Sequence, residues 1–294
     1  MTFPGPIAHA LLVGVNDYEP DPVTGREIDL NGCVWDAKAV GESLLAPAVT
    51  RILAEHPGEG IRVRARRGRL LRRLRRRRGR TAERFGAPVL TFLTDRDATL
   101  ARVRKALAAL CSRIGAGETG LWFRSGHGTA IRGAAGERDG TDEAFCCADA
   151  LAGGYLVDGE IAGIISANLR DDAHLVIIAD TCHAGDSHRS PGLLAKARGI
   201  AGVPRRPGHR HYVIDDRLPA NVTAWYACAS DEVAWERPAG GKVRGAFTRA
   251  IEPHLPALAA GTLDIEDAHL AVSRELAGVN ADGGQMPQLE RGGV

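Results

Sequence analysis

Short apolar runs alternate with amphipathic helical patterns along most of this chain. The strand candidates are mainly apolar and lack a regular polar alternation; they are residues 9–15, 88–94, 119–125, 173–179 and 222–229. Helical spacing follows them, for example with Leu100, Val103 and Leu107 on one face. Because strands without polar alternation are buried on both faces, the pattern predicts an α/β fold whose mostly parallel sheet is covered by helices on both sides.

Two long segments interrupt the alternation. Residues 50–87 contain an arginine-rich insertion, and residues 184–219 are rich in Gly, Pro, Arg and His between the fourth and fifth predicted strands. Both are longer than an ordinary connection in an α/β domain. Helical patterns resume at about 244–259 and 265–277. With no internal repeat, we expect residues 1–294 to form a single domain.

The net charge of +2 conceals a strong asymmetry. Residues 62–80 hold 12 arginines and no acidic residue, and without those arginines the net charge would be −10. Such a run is typical of a solvated loop or of a segment that binds nucleic acid through its phosphates. Its centre contains leucines but no aromatic residue that could stack on bases.

The sequence indicates a cytoplasmic protein without a membrane partner. No apolar run reaches the roughly 18 residues that a membrane span needs. The first residues lack the basic start and the cleavage site of a signal peptide. The six cysteines show no C-x-x-C pair, which disfavours a zinc ribbon and favours free thiols.

Chemically suggestive residues follow the third and fourth predicted strands. His127 lies in "SGHG" (125–128), and Cys182 lies in "DTCHAG" (180–185). Since the carboxyl ends of parallel strands meet at one edge of a sheet, where ligands bind, the two side chains are expected to be neighbours. Three interpretations are open: packing, a metal site that also uses His183, or a nucleophile with its base.

The nucleophile hypothesis gives each residue a chemical role. A thiol needs a neighbouring base, which His127 can supply, and the same imidazole can later protonate a leaving amine. A tetrahedral intermediate also needs N–H donors for its oxyanion. The backbone groups of Gly128 and Cys182 can provide two.

Eight motifs together resemble the metacaspases and bacterial caspase-like cysteine peptidases, from about residue 9 to residue 290. They are "ALLVGVNDY", "LNGCVWDAKAV", "LWFRSGHGT", "DGTDEAFCCAD", "VIIADTCHAG", "CASDEVAWE", "GAFTRAI" and "QMPQL". The resemblance implies a caspase-like three-layer sandwich around about six strands. It also implies a large-subunit-like part at about 1–190, a processing-type linker at about 184–219 and a small-subunit-like part at about 220–294.

The resemblance assigns catalysis to His127, Cys182 and Gly128. It further implies an acidic S1 pocket for the residue before the scissile bond (P1), lined by residues that match Asp36, Asp180, Cys33, Ser125 and, further along the chain, Asp231. Caspases that cut after aspartate place arginines and a glutamine around P1. A carboxylate at position 180 would instead pair with a guanidinium, so the expected P1 residue is Arg, or else Lys.

The resemblance implies no required cofactor and leaves calcium dependence open. Asp142 and Asp158 match part of the acidic set of calcium-dependent members. Gly159 and Arg189 stand where further acidic residues are usual.

The sequence thus predicts an endopeptidase that acts on proteins with exposed arginines, in a bacterial stress or defence pathway. Its own basic loops are candidate substrates, either of itself or of an upstream activating protease. The run 62–80 is the favoured cleavage region, and the linker offers further candidate positions at Lys196, Arg198, Arg205 and Arg206. The alternative is a catalytically silent caspase-like scaffold whose residues 62–80 bind nucleic acid or a protein partner.

Overall fold

A computed structural model describes most of the chain. The described residues are 5, 7–55, 88–132, 141–182, 196–200, 218–229, 232–279 and 285–293. The arginine-rich run 62–80 lies outside these ranges.

The described ranges contain strands and helices in alternation. The strands are β1 (Ile7–Gly14), β2 (Val89–Thr94), β3 (Thr119–Ser125), β4 (Gly128–Arg132), β5 (Thr141–Cys146), β6 (Tyr155–Val157), β7 (His174–Asp180), β8 (Lys196–Ala197), β9 (Val222–Tyr226), β10 (Trp235–Ala239), β11 (Lys242–Gly245) and β12 (Gln288–Arg291). The α-helices are α1 (Cys33–Glu55), α2 (Leu100–Cys111), α3 (Asp158–Asn168), α4 (Ala246–Ile251), α5 (Leu255–Ala259) and α6 (Ile265–Val279).

A six-stranded sheet in the order β12-β9-β7-β3-β1-β2 forms the centre of the molecule. Five of its strands run parallel, and β12 pairs antiparallel with β9 at one edge. The predicted α/β fold with a mostly parallel sheet of about six strands is therefore confirmed. The five apolar runs that predicted it all lie in this sheet.

The sheet separates two hydrophobic cores, which explains why its strands carry apolar residues on both faces. One core contains Leu107 of α2 and Ile165 of α3, packed near Trp122 of β3. The other contains residues from α1, α4, α5 and α6. Helices thus cover both faces, as predicted.

The region after β9 differs from the sequence-based expectation. Residues 235–245 form the antiparallel hairpin β10–β11, which the sequence did not predict. The helix predicted over 244–259 is divided into α4 and α5. Pro253 and Pro256 explain the division, because proline supplies no N–H to a continuing helix.

Helix α1 extends into a range that the sequence analysis assigned to the arginine-rich insertion. It continues to Glu55, within the range 50–87.

Among the described residues, no helix is both long enough and apolar enough to cross a membrane.

Candidate active site

The ends of β3 and β7 bring the predicted catalytic residues to one edge of the sheet. Ser125 pairs with Asp180 in the parallel register, and each strand leads into its motif within two residues. A Cβ atom added to Gly128 would lie 1.6 Å from the carbonyl oxygen of Cys182. The backbones approach so closely there that only glycine fits, which accounts for the glycine after His127.

Four of the predicted S1 residues lie together and buried beside this edge. Asp36 is in the first turn of α1, and Asp180 ends β7. The Ser125 hydroxyl donates to Oδ2 of Asp36 over 3.2 Å. Cys33 is fully buried, and burial raises the pKa of its thiol. Asp231, the fifth predicted member, lies outside the described residues.

The side chain of Arg198, from the predicted linker, occupies this acidic pocket. Its Nη2 lies 2.6 Å from Oδ2 of Asp36, and its Nη1 lies 3.0 Å from Oδ2 of Asp180. Nη1 also donates to the Ser125 hydroxyl over 2.8 Å. Arg198 is fully buried. A buried guanidinium is stabilised only where carboxylates face it, as they do here.

Glu236 of β10 adds a third carboxylate that the sequence did not single out. It is fully buried, and its Oε2 lies 3.6 Å from Nη2 of Arg198. The N–H groups of Asn31 and Gly32 donate to it over 3.0 and 2.9 Å, which fixes its orientation. The pairing of β10 with the linker strand β8 and with β11 brings position 236 to the pocket.

Arg244 of β11 is the second arginine of the cluster, and sequence reasoning missed it too. Its Nε lies 2.6 Å from Oδ1 of Asp36, and its Nη2 lies 3.0 Å from Glu252. Asp36 therefore has a fixed cation of its own. Asp180 instead accepts hydrogen bonds from the N–H and the hydroxyl of Thr248.

The electrostatics of the pocket depend on Arg198. Burial alone would lower the pKa of the Arg198 guanidinium, but the carboxylates around it raise that pKa well above its ordinary value. Burial raises the pKa of the Asp180 carboxyl, and the Arg198 guanidinium opposes that effect. Removal of Arg198 would leave Asp180 without a neighbouring cation of its own among the described residues.

The backbone of residues 196–200 runs through the site in an extended conformation. The carbonyl oxygen of Arg198 accepts the N–H groups of Gly128 and Cys182 over 2.8 and 3.3 Å. The N–H of Arg198 donates to the carbonyl of Ala234 over 3.0 Å. Lys196 and Ala197 continue the strand as β8, antiparallel to β10. The two N–H groups predicted to bind an oxyanion thus converge on one carbonyl oxygen of the chain itself.

The imidazole of His127 is held by the loop before α1. Its Nε2 lies 2.7 Å from the carbonyl oxygen of Ile28, which can only accept, so Nε2 carries the proton. Nδ1 has no hydrogen-bond partner among the described residues. Burial lowers the pKa of His127 to about 4, although the carbonyls of Ile28 and Arg198 oppose it. A neutral ring with a bare Nδ1 is the form that can accept a proton.

This low pKa predicts a pH dependence of stability. The unfolded chain binds a proton at His127 below its ordinary pKa of 6.5, whereas the folded chain does so only near 4, so stability rises with pH between these values. We expect Cys182→Ala protein to gain roughly 3 kcal/mol more across this window than Cys182→Ala/His127→Gln protein. Denaturant unfolding from pH 4 to 7 measures the difference; equal slopes in the two proteins would contradict the burial of a neutral ring.

The Cys182 thiol lies against Ala234, the residue whose carbonyl also binds Arg198. The Ala234 N–H donates to Sγ over 3.1 Å, and Sγ lies 3.5 Å from the Ala234 carbonyl oxygen. Four cysteines outside the site are buried as well; they are Cys111, Cys146, Cys147 and Cys228. Cys182 is distinguished from these four because its own N–H binds the carbonyl oxygen of Arg198.

The described residues offer little to a metal ion. No group of three or more His, Cys, Asp or Glu side chains among them is arranged to hold one. Of the two residues that resemble a calcium set, Asp158 begins α3 and Asp142 lies in β5. His183, needed for the metal interpretation, lies outside the described residues. Calcium dependence stays an open prediction.

The α/β sheet thus carries a buried acidic pocket beside a cysteine and a histidine at one edge. A family model of the caspase domain, peptidase family C14, matches residues 7–293, so the chain belongs to the caspase domain family of cysteine peptidases. A solved protein from Geobacter sulfurreducens has a similar fold, with a TM-score of 0.60 and 19% identity. The match covers 98% of this chain and 94% of that one. No curated protein matches the sequence significantly.

Proposed function

We propose that this protein is a cysteine endopeptidase that cuts after arginine, and that one of its substrates is its own Arg198–Gly199 bond. One observation carries the proposal: the side chain of Arg198 fills the acidic pocket while its carbonyl oxygen accepts the N–H groups of Gly128 and Cys182. A P1 residue must satisfy both conditions at once, because the pocket selects the side chain and the N–H pair polarises the scissile carbonyl.

The proposed reaction follows from these positions. Nδ1 of His127 accepts the thiol proton, and Sγ of Cys182 forms a bond to the carbonyl carbon of P1. The oxyanion is held by the N–H groups of Gly128 and Cys182. As the C–N bond breaks, the proton passes from His127 to the leaving amine. Water, deprotonated by His127, then attacks the thioester, which releases the carboxylate and restores the thiol.

The arrangement of the pocket supports arginine as the preferred P1 residue. Asp36 and Asp180 contact different terminal nitrogens of the guanidinium, and Glu236 lies near the nitrogen that faces Asp36. A lysine ammonium presents one nitrogen and cannot bridge both sides. An aspartate at P1 would face three carboxylates.

The position of Arg198 supports a switch by self-cleavage. While the chain is uncut, residues 196–200 cover the site and exclude other substrates. Among the basic linker residues, Arg198 lies in the pocket and Lys196 is exposed. Arg205 and Arg206 lie outside the described residues, as does the run 62–80, which the sequence favoured. We therefore assign the processing bond to Arg198–Gly199, with the uncut protein as the restrained form.

The test combines self-cleavage with a P1 series. Incubated wild-type protein should yield a fragment that begins at Gly199, and Arg198→Gln should lose that cut. Peptides with Arg at P1 should be cleaved at least about 100-fold faster than those with Gln. The reason is that an uncharged P1 side chain leaves the buried carboxylates of the pocket unpaired, which costs several kcal/mol. N-terminal sequencing and kcat/KM values measure both.

Two outcomes would oppose the proposal. Cleavage after Asp would contradict the pocket assignment. The second outcome is that the protein cuts no peptide and that Cys182 does not react with an arginine-based, thiol-directed probe. That result would instead support a catalytically silent scaffold that acts through residues 62–80. The cytoplasmic location, a bacterial stress or defence role and an upstream protease stay predictions.

A further inference from the structure

The segment after Arg198 is bound as specifically as the segment before it. The N–H of Ile200 donates to the carbonyl of Gly128 over 3.1 Å, and the Thr129 hydroxyl donates to the carbonyl of Ile200 over 2.8 Å. Gly199 forms a parallel bridge with Gly128. Thr129 is fully buried, so its hydroxyl is aimed at this carbonyl and away from water. These bonds hold any extended backbone, whatever its side chains.

The side chain of Ile200 is also buried, with 6% of the residue exposed. It belongs to the hydrophobic core that includes Leu30 and Tyr18, and Ile28 packs against the same core. By contrast, Lys196, two residues before Arg198, is exposed. Among the described residues 196–200, the most enclosed one apart from the arginine is therefore Ile200, the second residue after the scissile bond (P2′).

The burial of this position disfavours a charged residue there. Ile200 lines a cleft together with Ile28, Leu30 and His127. Exposed charges of both signs lie at the same cleft, with Glu27 and Asp29 on one side and Lys196 on the other. A charged P2′ side chain of either sign would lose its hydration on burial.

We infer that β4 and the loop at residues 28–30 form a P2′ subsite that takes an aliphatic side chain. The inference rests on the proposed function, since it concerns the same peptide-cutting site. It makes the enzyme selective on both sides of the bond: arginine at P1, an aliphatic residue at P2′, and a backbone held by Thr129. Protein substrates would then be segments of the type Arg-Gly-Ile that can extend along β4.

The first test varies P2′ in internally quenched peptides that copy residues 194–203. Replacing the isoleucine that corresponds to Ile200 with valine should preserve kcat/KM within a few-fold. Alanine should lower it about tenfold, and aspartate roughly 100-fold, as expected from the loss of buried aliphatic surface. Equal kcat/KM values across the series would overturn the subsite while leaving arginine specificity intact. Cleavage of none of these peptides would instead defeat the proposed function.

The second test uses the hydroxyl of Thr129. The measured quantity is the ratio of kcat/KM for the extended peptide to that for a substrate whose aminocoumarin leaving group directly follows arginine. Thr129→Val should lower this ratio at least about tenfold, because it leaves a substrate carbonyl buried without a donor. Thr262→Val is the matched control, since its hydroxyl also donates to a backbone carbonyl, that of Ala257, but at an exposed position. A ratio that stays constant in Thr129→Val would overturn the role of the hydroxyl; should that variant not fold, the peptide series on wild type decides the inference.

Discussion

Replacement of Cys182 by alanine is expected to abolish turnover of every peptide substrate and to leave the chain uncut between Arg198 and Gly199. The physical reason is that the thiol supplies the only bond to the acyl group in the proposed reaction, whereas the N–H of residue 182 survives the substitution. Purified variant protein should therefore still bind the Arg198 carbonyl. Intact mass after incubation, together with hydrolysis of arginine peptides, measures both expectations.

Two further variants sharpen this prediction. His127→Ala should lower kcat by at least about 100-fold, the scale of losing a general base. Cys111→Ala removes another buried thiol, in α2 on the opposite core, and should leave peptide turnover at the wild-type level. Residual activity of purified Cys182→Ala above that of buffer would end the cysteine-peptidase proposal.

Substitution of Asp180 by asparagine is expected to lower kcat/KM for arginine peptides by about 100- to 1000-fold, the cost of leaving a buried charge without its partner. The shape of the side chain is kept, and the Thr248 N–H retains an oxygen to donate to. Peptides with citrulline at P1 keep the planar side chain but carry no charge, so their kcat/KM should change little. The ratio of the two measures the electrostatic part of recognition.

Asp180 is a cleaner test than Asp36. Arg244 pairs with Asp36. The change Asp36→Asn would therefore also weaken an ion pair that does not involve the P1 side chain. Asp172→Asn provides the control, because Asp172 is a surface carboxylate that pairs with Arg170. It should leave the ratio of arginine to citrulline cleavage as in wild type. An unaltered ratio in Asp180→Asn would mean that this carboxylate does not select the substrate.

The sheet could be predicted because its signal is local. The run at 119–125 has an apolar centre, Leu121–Phe123, without a polar alternation, which already implies burial on both faces, and β3 has these bounds. The helix face formed by Leu100, Val103 and Leu107 is buried as its spacing predicts. The hairpin β10–β11 was missed because its residues carry no apolar alternation; its strands form through pairing with one another and with the linker.

The sequence by itself determined the strand–helix alternation, and it placed a histidine and a cysteine after neighbouring strands, since each signal lies within a few consecutive residues. The resemblance of its motifs then indicated which carboxylates belong to one pocket. Only the tertiary structure decided what fills that pocket and what completes it. Arg198 is one of several basic residues in the linker, and nothing local distinguishes it from Arg205. Its guanidinium meets Asp36 and Glu236, 162 and 38 positions away in sequence, only because the sheet brings α1, β7 and β10 to the same edge. The fold supplies the complementary charges that allow a buried guanidinium to persist, and a linear pattern does not contain them.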